Sequence, residues 1–285
     1  MIAVALALVA ALAYGLSDFA GGASSRRASA LGVVAVTYPI SLLLALAVAP
    51  LVGGEPTVSS LGWGAVAGVA GGIAIWWFYL ALASGPMSVV SPLTAVLVAG
   101  IPVVVGISLG ERPGALSYVG ILVAVVAVAL VSWESDETVV GTEHPRFTAK
   151  VAWLTVGSGV AFALSFIALG RIEEGTGLWG LAVSRVTATL VVWCVIGAVW
   201  RGVVWPTKSM MPVLIGIGAL DVLANGALIF AYQQGMLSLV SVVAALYPAA
   251  TVLLAMIVLG ERVGRLRLLG MVAAGVAVGL ISVAA

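Results

Sequence analysis

The chain alternates between long apolar stretches and short polar breaks. The breaks are rich in Gly, Pro and charged residues, as turns between helices are. A helix needs about 20 apolar residues to cross the hydrocarbon core of a bilayer, and lipid cannot satisfy an open backbone. The pattern therefore predicts an all-α polytopic membrane protein with ten transmembrane helices. The predicted spans are 2–22, 30–51, 60–83, 86–109, 114–133, 149–169, 177–200, 210–233, 236–259 and 264–284.

One polar insert is longer than the other breaks and lies in the middle of the chain. It divides the sequence into a first five-helix unit (1–133), a polar linker (134–148) and a second five-helix unit (149–285). The two units carry equal numbers of predicted spans. This symmetry suggests an internal duplication.

The duplication is visible in the letters. The tetrapeptide LGER occurs at Leu109–Arg112 and again at Leu259–Arg262, and a shift of 150 aligns 79–132 with 229–282 at about twenty identities. Further upstream "AYGLS" (13–17) aligns with "AFALS" (161–165). Since five is an odd number, the second unit enters the membrane from the opposite side. An inverted repeat is an architecture of secondary transporters, whose sites lie near the midplane between the repeats.

The repeated segments resemble a known family. Each unit has a fourth span of the type "GPMSVVSPLTAVLVAGIPVVVGISLGER", a short turn and a fifth span, as in EamA-type transporters of the drug/metabolite transporter superfamily. The resemblance implies a ten-helix carrier of the inner membrane with a central cavity, often an exporter of amino acids or other small metabolites. One departure is that, of the two fourth spans, only the second carries the Tyr-Pro typical of the family, as Tyr247–Pro248.

Composition supports a membrane protein and narrows its partners. Hydrophobic residues make up 63% of the chain and charged residues 8%, whereas soluble domains carry about 25% charged residues. The net charge of +1 gives no reason to expect a nucleic-acid partner. We expect a multi-pass protein of the cell (inner or plasma) membrane with a small-molecule substrate, no cofactor, no metal and no enzymatic activity.

The distribution of Lys and Arg predicts an orientation. The breaks after the first, fifth, seventh and ninth spans hold nine of these residues, and the opposite side holds Arg112 and Arg171. The positive-inside rule places the richer side in the cytoplasm and both termini outside.

Three charged residues fall inside predicted spans, namely Asp18, Arg185 and Asp221. Such residues usually face a cavity or a partner. Either acid could couple transport to protons. Because arginine stays protonated, Arg185 either pairs with one of the acids or holds an anionic group of the substrate, and the second option would suit an amino acid.

Other candidates follow from helical spacing and from residue type. Asn225 and Tyr232 follow Asp221 at i+4 and i+11, on one face of a helix. The prolines Pro92, Pro102 and Pro248 are hinge or kink candidates. Glu111 and Glu261 of the repeated LGER are interpreted as contacts between a helix end and a neighbouring loop. The further aromatic candidates for the cavity are Tyr14, Tyr38, Trp76, Tyr79 and Tyr247.

Small residues predict close helix packing. Gly64, Gly68 and Gly72 recur one turn apart, a spacing that lets helix backbones approach. They form either an internal sliding surface or a dimer interface. Ten helices suffice for a complete pathway, so a monomer is sufficient and a homodimer stays an alternative.

Three classes of function compete. A small-metabolite carrier working by alternating access, with proton coupling as an open option, accounts for the repeat and the intramembrane charges; an exporter of lipophilic cations is the alternative within that class. An intramembrane enzyme is the second class, but the sequence contains no HExxH or GxSxG motif to support it. A non-transporting scaffold or receptor would tolerate neutralisation of Asp18, Arg185 and Asp221.

Overall fold

The computed structural model describes residues 1–25, 27–85, 87–132, 148–199, 202–259 and 264–284. Nearly all of the predicted linker and Glu261 of the second LGER lie outside the described residues. Within these ranges ten helical spans are long and apolar enough to cross a membrane. The prediction of an all-helical, ten-span membrane protein is confirmed.

The helices are numbered in chain order. Their bounds are α1 Ile2–Ser24, α2 Ala30–Val52, α3 Val58–Ser84, α4 Met87–Ser108, α5 Ala115–Ser132, α6 Ala149–Leu169, α7 Trp179–Val199, α8 Met211–Gln234, α9 Leu237–Ala244, α10 Tyr247–Leu259 and α11 Arg265–Ala284. The predicted edges differ from these by a few residues. The predicted span 236–259 consists of two helices, α9 and α10.

Side-chain caps fix where several helices begin. The hydroxyls of Ser29, Thr57 and Thr148 each accept a hydrogen bond from the amide three residues later, at 3.1, 3.1 and 3.3 Å. These caps satisfy amide groups that have no partner inside the helix. Polar residues thus start α2, α3 and α6 immediately after the breaks that the sequence pattern showed.

The two fourth spans differ in continuity. In the second unit the helix stops at Ala244 and resumes at Tyr247, one residue before Pro248, whose nitrogen has no hydrogen to donate. In the first unit α4 continues through both Pro92 and Pro102. The repeat is therefore asymmetric at the place where the sequences diverge.

The interior of the bundle is built from small side chains. Ala7, Ala45 and Ala74 are fully buried, whereas Val104 and Ile257 expose 68% and 71% of their surface. Small buried residues let helices approach closely, and larger side chains such as Leu181, Leu214 and Ile229 fill the space between them.

Contacts across the bundle follow the repeat. A Cβ built on Gly120 would lie 2.7 Å from Ile281, and one built on Gly270 would lie 2.8 Å from Val131. The shift of 150 converts the first pair into the second. Reciprocity of this kind is what a two-fold relation between the units produces.

The bundle has two ends, which we name by the elements found there. The terminal face is the end where α1 begins and α11 ends, and the linker face is the end where α5 ends and α6 begins. At both faces, hydrogen bonds join the segments that connect the helices. The amide of Glu55 donates to Gly175 at the terminal face (3.1 Å), and that of Ser29 donates to Val204 at the linker face (2.9 Å).

The glycines of α3 pack inside the bundle. Side-chain atoms added to Gly64 and Gly68 would collide with the carbonyls of Gly180 and Ser184, and one added to Gly72 would meet Val191 at 2.8 Å. All three partners belong to α7. The stripe is therefore the α3–α7 contact within one chain.

Candidate functional site

A central cavity of about 1120 Å³ reaches the linker face. Most of its lining comes from the parts of the helices nearer that face, such as Tyr14 to Gly22 on α1 and Ser91 to Val98 on α4, although Phe162 and Phe166 lie in the terminal half of α6. Across the cavity α10 contributes Tyr247 to Ala255. Of the sequence candidates, those that line the cavity are Tyr14, Asp18, Tyr38, Trp76, Tyr79, Asp221, Tyr247 and Pro248.

Asp18 is a carboxylate on the cavity wall. It is exposed by area, but the surface that it exposes faces the cavity, and α1 continues past it to Ser24. Among the described residues its carboxylate has neither a hydrogen-bond nor an ion-pair partner. Asp18 therefore offers the cavity an acceptor group that the protein itself leaves uncommitted.

Aromatic rings surround the deeper part of the cavity. Tyr14 is stacked on Phe166, with ring centroids 6.2 Å apart, and meets Tyr247 edge to face at 6.1 Å. On another wall Phe78 packs against Tyr79 and Phe162 at 6.1 and 6.2 Å. Aromatic faces present negative charge density to a ligand, so they can bind cations as well as apolar groups.

Arg185 and Asp221 form an ion pair between α7 and α8. Nη1 of Arg185 donates to both carboxylate oxygens at 3.0 and 2.8 Å, and the two side chains are 8% and 19% exposed. Asp221 reaches the cavity lining, whereas Arg185 lies behind the wall. The structure thus contains the Arg–Asp pair that was one of the two options for Arg185.

Further polar groups complete this ion pair. The hydroxyl of Ser41 on α2 donates to the carboxylate of Asp221. The side-chain Nδ2 of Asn225 donates to the backbone carbonyl and to Oδ1 of Asp221, at 2.8 and 3.0 Å. The guanidinium of Arg185 stands 5.7 Å from the ring centre of Tyr38. Buried charges are tolerated when they are paired and hydrogen-bonded in this way. The network joins α2, α7 and α8 beside the cavity.

The remaining candidates do not reach the cavity. Asn225 is buried within the network just described, and Tyr232 is buried near the terminal face, where its hydroxyl lies 2.9 Å from that of Ser241. Neither Pro92 nor Pro102 lines the wall, although several of their neighbours on α4 do.

Two aromatic residues of α6 were not among the candidates from the sequence. Phe162 and Phe166 both line the cavity. The upstream alignment of "AYGLS" with "AFALS" pairs Tyr14 with Phe162 and Asp18 with Phe166. The repeat was therefore the signal that could have found them.

Polar contacts close the terminal face. Glu173, in the segment between α6 and α7, accepts a hydrogen bond from Thr57 at 2.7 Å, and its amide donates to Ser60 at 3.0 Å. Hydrogen bonds from Thr57 and Ser59 lower the pKa of Glu173. The side-chain Nε2 of Gln233 donates to the backbone carbonyl of Glu173 at 3.1 Å. Helices α3 and α8 are thereby joined to this segment.

In the described part of the chain, ten spans that are apolar enough to cross a membrane surround a cavity that reaches one face. The model of the EamA-like transporter family matches residues 1–133 and 149–283. The chain belongs to this family, and it is a membrane transporter of the drug/metabolite type.

The fold also occurs in solved structures. A crystal structure described only as that of a protein aligns with a TM-score of 0.78 at 17% identity, covering 99% of this chain and 96% of its own. A comparison with curated proteins gives no match. Within the described ranges no three His, Cys, Asp or Glu side chains are placed to hold a metal ion.

Proposed function

We propose that this protein is a secondary transporter for small molecules that combine an amine or other cationic group with an aromatic or apolar part. The observation that carries the proposal is Asp18, a carboxylate on the cavity wall without a hydrogen-bond partner among the described residues. A charged carboxylate within a membrane-spanning helix is energetically unfavourable unless it faces a cavity or a partner. A cationic ligand would neutralise this charge.

The surroundings of Asp18 support a cation. Asp221 also borders the cavity, but its charge is balanced by Arg185. The rings of Tyr14 and Tyr247 are close enough to contact a ligand held at Asp18, since all three residues line one cavity. A carboxylate next to aromatic faces recognises ammonium groups by charge and by cation–π attraction.

An amino acid is the second candidate substrate. Arg185 is less available for a substrate carboxylate, because Asp221 occupies it. Arg267 at the start of α11 lines the same cavity. A zwitterion would contact Asp18 through its amine and a second polar group of the cavity wall through its carboxylate.

Transport would proceed by alternating access between the two five-helix units. Reciprocal contacts, such as Gly120 with Ile281 and Gly270 with Val131, support the two-fold relation that an inverted repeat requires. In the proposed cycle the cavity closes at the linker face and opens at the terminal face. A proton on Asp18 would neutralise the empty carrier during its return, which is how coupling to protons would arise.

The proposed orientation supports export. The linker face carries Arg27, Lys150, Lys208, Arg265 and Arg267 in the described residues, and the positive-inside rule places such a face in the cytoplasm. The cavity would then load from the cytoplasm, which favours export.

A matched ligand series tests the proposal. Phenylethylamine, phenylethanol, phenylpropionic acid and phenylalanine share one ring and differ in charge. Each is added to the purified protein and the midpoint of thermal unfolding is measured. A ligand that binds only the folded state at a hundred times its dissociation constant adds about 2.7 kcal/mol. We expect stabilisation by the amine and none by the alcohol or the acid. A larger effect of phenylalanine would favour the amino-acid alternative.

Transport itself is measured in proteoliposomes. Radiolabelled ligand uptake is followed with and without an imposed pH gradient, in the wild type and in Asp18→Asn. Gradient-driven uptake that the variant lacks would support both the site and the coupling. Binding of the acid alone, with no requirement for Asp18, would contradict the proposal.

A further inference from the structure

Glu111, the glutamate of the first LGER, makes a contact that its position in the sequence does not reveal. Its Oε1 accepts from the amide of Leu237 at 2.5 Å and its Oε2 from the amide of Ser238 at 3.0 Å. These are the first amides of α9, which have no partner within their own helix. A carboxylate at a helix N-terminus also interacts favourably with the helix dipole. Glu111 thus caps a helix start and not a neighbouring loop.

The backbone before Glu111 positions the carboxylate. Gly110 has a φ of +100°, a conformation that favours glycine. The amides of Gly110 and Glu111 donate to Ile107 and Gly106, each at 3.0 Å, and so terminate α4. The chain reverses there, which places Glu111 over the start of α9. The Leu-Gly-Glu order therefore combines a helix end with the cap of another helix.

Gly106 provides the space that the carboxylate occupies. A Cβ at this position would stand 2.8 Å from Cδ of Glu111, closer than real Cβ contacts come. The shift of 150 pairs Gly106 with Met256 on α10, whereas Glu111 pairs with another glutamate. The second unit has a long side chain where the first leaves room. The space that Gly106 provides is therefore a property of one half of the molecule.

The cap lies where the two fourth spans converge. At the terminal face α4 packs against α9, and Glu111 joins the end of one to the start of the other. Towards the linker face Ser91 and Val98 of α4 line the cavity, as do Thr251 and Ala255 of α10. The same two spans are thus joined at one end and border the opening at the other.

We propose that the Glu111 cap, seated on Gly106, is a lock that holds the terminal face closed and biases the carrier towards the state open at the linker face. The proposal rests on the alternating access described under Proposed function. Opening the terminal face would separate α4 from α9 and uncap Leu237 and Ser238. The second unit has Met256 where the first has Gly106. The free energy of opening would therefore differ between the two ends of the carrier.

Cysteine accessibility tests the lock in the full-length protein. Cys194 is replaced by Ala, and single cysteines are placed at Val103, buried in the terminal half of α4, or at Ser91 on the cavity wall. The rate of labelling by a charged maleimide is measured in detergent solution. In Glu111→Ala we expect labelling at 103 to rise about tenfold, the effect of losing a helix cap, and labelling at 91 to fall.

Two further variants make the test specific. Gly106→Ala keeps the carboxylate but displaces it, so it should shift both rates in the same directions as Glu111→Ala. The labelling rates of the double variant should differ little from those of either single variant, since both substitutions remove the same interaction. Glu174→Gln removes an exposed carboxylate between α6 and α7, at the terminal face, and should change neither rate.

The outcomes separate the lock from transport. Unchanged rates in Glu111→Ala would overturn the lock, as would a rise at both positions, which would mean that the cap supports the fold as a whole. If phenylethylamine changes the two rates in opposite directions while Glu111→Ala does not, only the lock fails. If neither phenylethylamine nor any variant exposes position 103, alternating access fails with it.

Discussion

Nη1 of Arg185 donates to both carboxylate oxygens of Asp221, at 3.0 and 2.8 Å, across the contact between α7 and α8. The pair lies beside the cavity, with Asp221 at the wall and Arg185 behind it. Breaking a buried ion pair leaves an uncompensated charge, which typically costs about 3–5 kcal/mol. Removing both charges avoids that penalty.

Arg185→Met should therefore destabilise the protein more than Arg185→Met combined with Asp221→Asn. In the double variant the amide oxygen introduced at position 221 can still accept from Ser41, which donates to Asp221 in the wild type. The midpoint of thermal unfolding of the purified protein measures both. If the double variant loses as much as the sum of the two single variants, the charges do not act as a pair.

Asp18→Asn should leave folding unchanged and weaken binding of cationic ligands. Its carboxylate has no hydrogen-bond partner among the described residues, so no interaction with those residues is lost. A hydrogen bond to a charged group contributes about 1.5–3 kcal/mol, which corresponds to about a tenfold to hundredfold loss of affinity. Titration calorimetry with phenylethylamine measures the loss.

Asp18→Glu is the control that keeps the charge, and it should retain more affinity than Asp18→Asn. Equal affinities of wild type and Asp18→Asn would remove Asp18 from the site. A large fall in the unfolding midpoint of Asp18→Asn would indicate a structural role instead.

The sequence predicts the ten spans well because composition and spacing along the chain determine them. Runs of apolar residues define α1 to α11, apart from the break before Tyr247, and the shift of 150 anticipates reciprocal contacts such as that of Gly120 with Ile281. These properties are local or additive along the chain. They need no knowledge of which helix faces which.

The site is harder to predict because the cavity opens at the linker face and occupies only part of the depth of the bundle. Asp221 and Tyr232 share a helical face, but eleven residues of helix span about 16 Å. One therefore lies at the cavity and the other near the closed terminal face. Helical periodicity gives the face and not the depth, and depth decides whether a polar side chain meets a ligand or a neighbouring helix.

Gly64→Ala should destabilise the bundle, whereas Gly62→Ala should not. Both glycines lie on α3, two residues apart. An added methyl at Gly64 meets the backbone of Gly180 on α7, while nothing lies within 4 Å of one added at Gly62. Overpacking a close contact costs about 1–3 kcal/mol. Thermal unfolding of the two purified variants makes the comparison, and equal midpoints would mean that α3 and α7 do not approach as closely as described.

The orientation in the membrane gives the last prediction. Helix α1 begins and helix α11 ends at the terminal face, which carries Arg112 and Arg171, whereas the opposite face carries Arg27, Lys150 and Lys208 among the described residues. The positive-inside rule then puts the termini outside. A C-terminal fluorescent protein that folds only in the cytoplasm should give weak signal in cells, and a C-terminal reporter that is active only outside should give strong signal.

Fusing each reporter in turn after Ser132, where α5 ends at the linker face, is the matched control. There the cytoplasmic reporter should give strong signal and the outside reporter weak signal. A bright cytoplasmic signal from the C-terminal fusion would reverse the orientation. The cavity would then open to the outside, and the proposed loading from the cytoplasm would require the state in which the Glu111 cap is released. The topology result therefore bears on the proposed lock, because it decides on which side of the membrane the face that Glu111 is proposed to hold closed would lie.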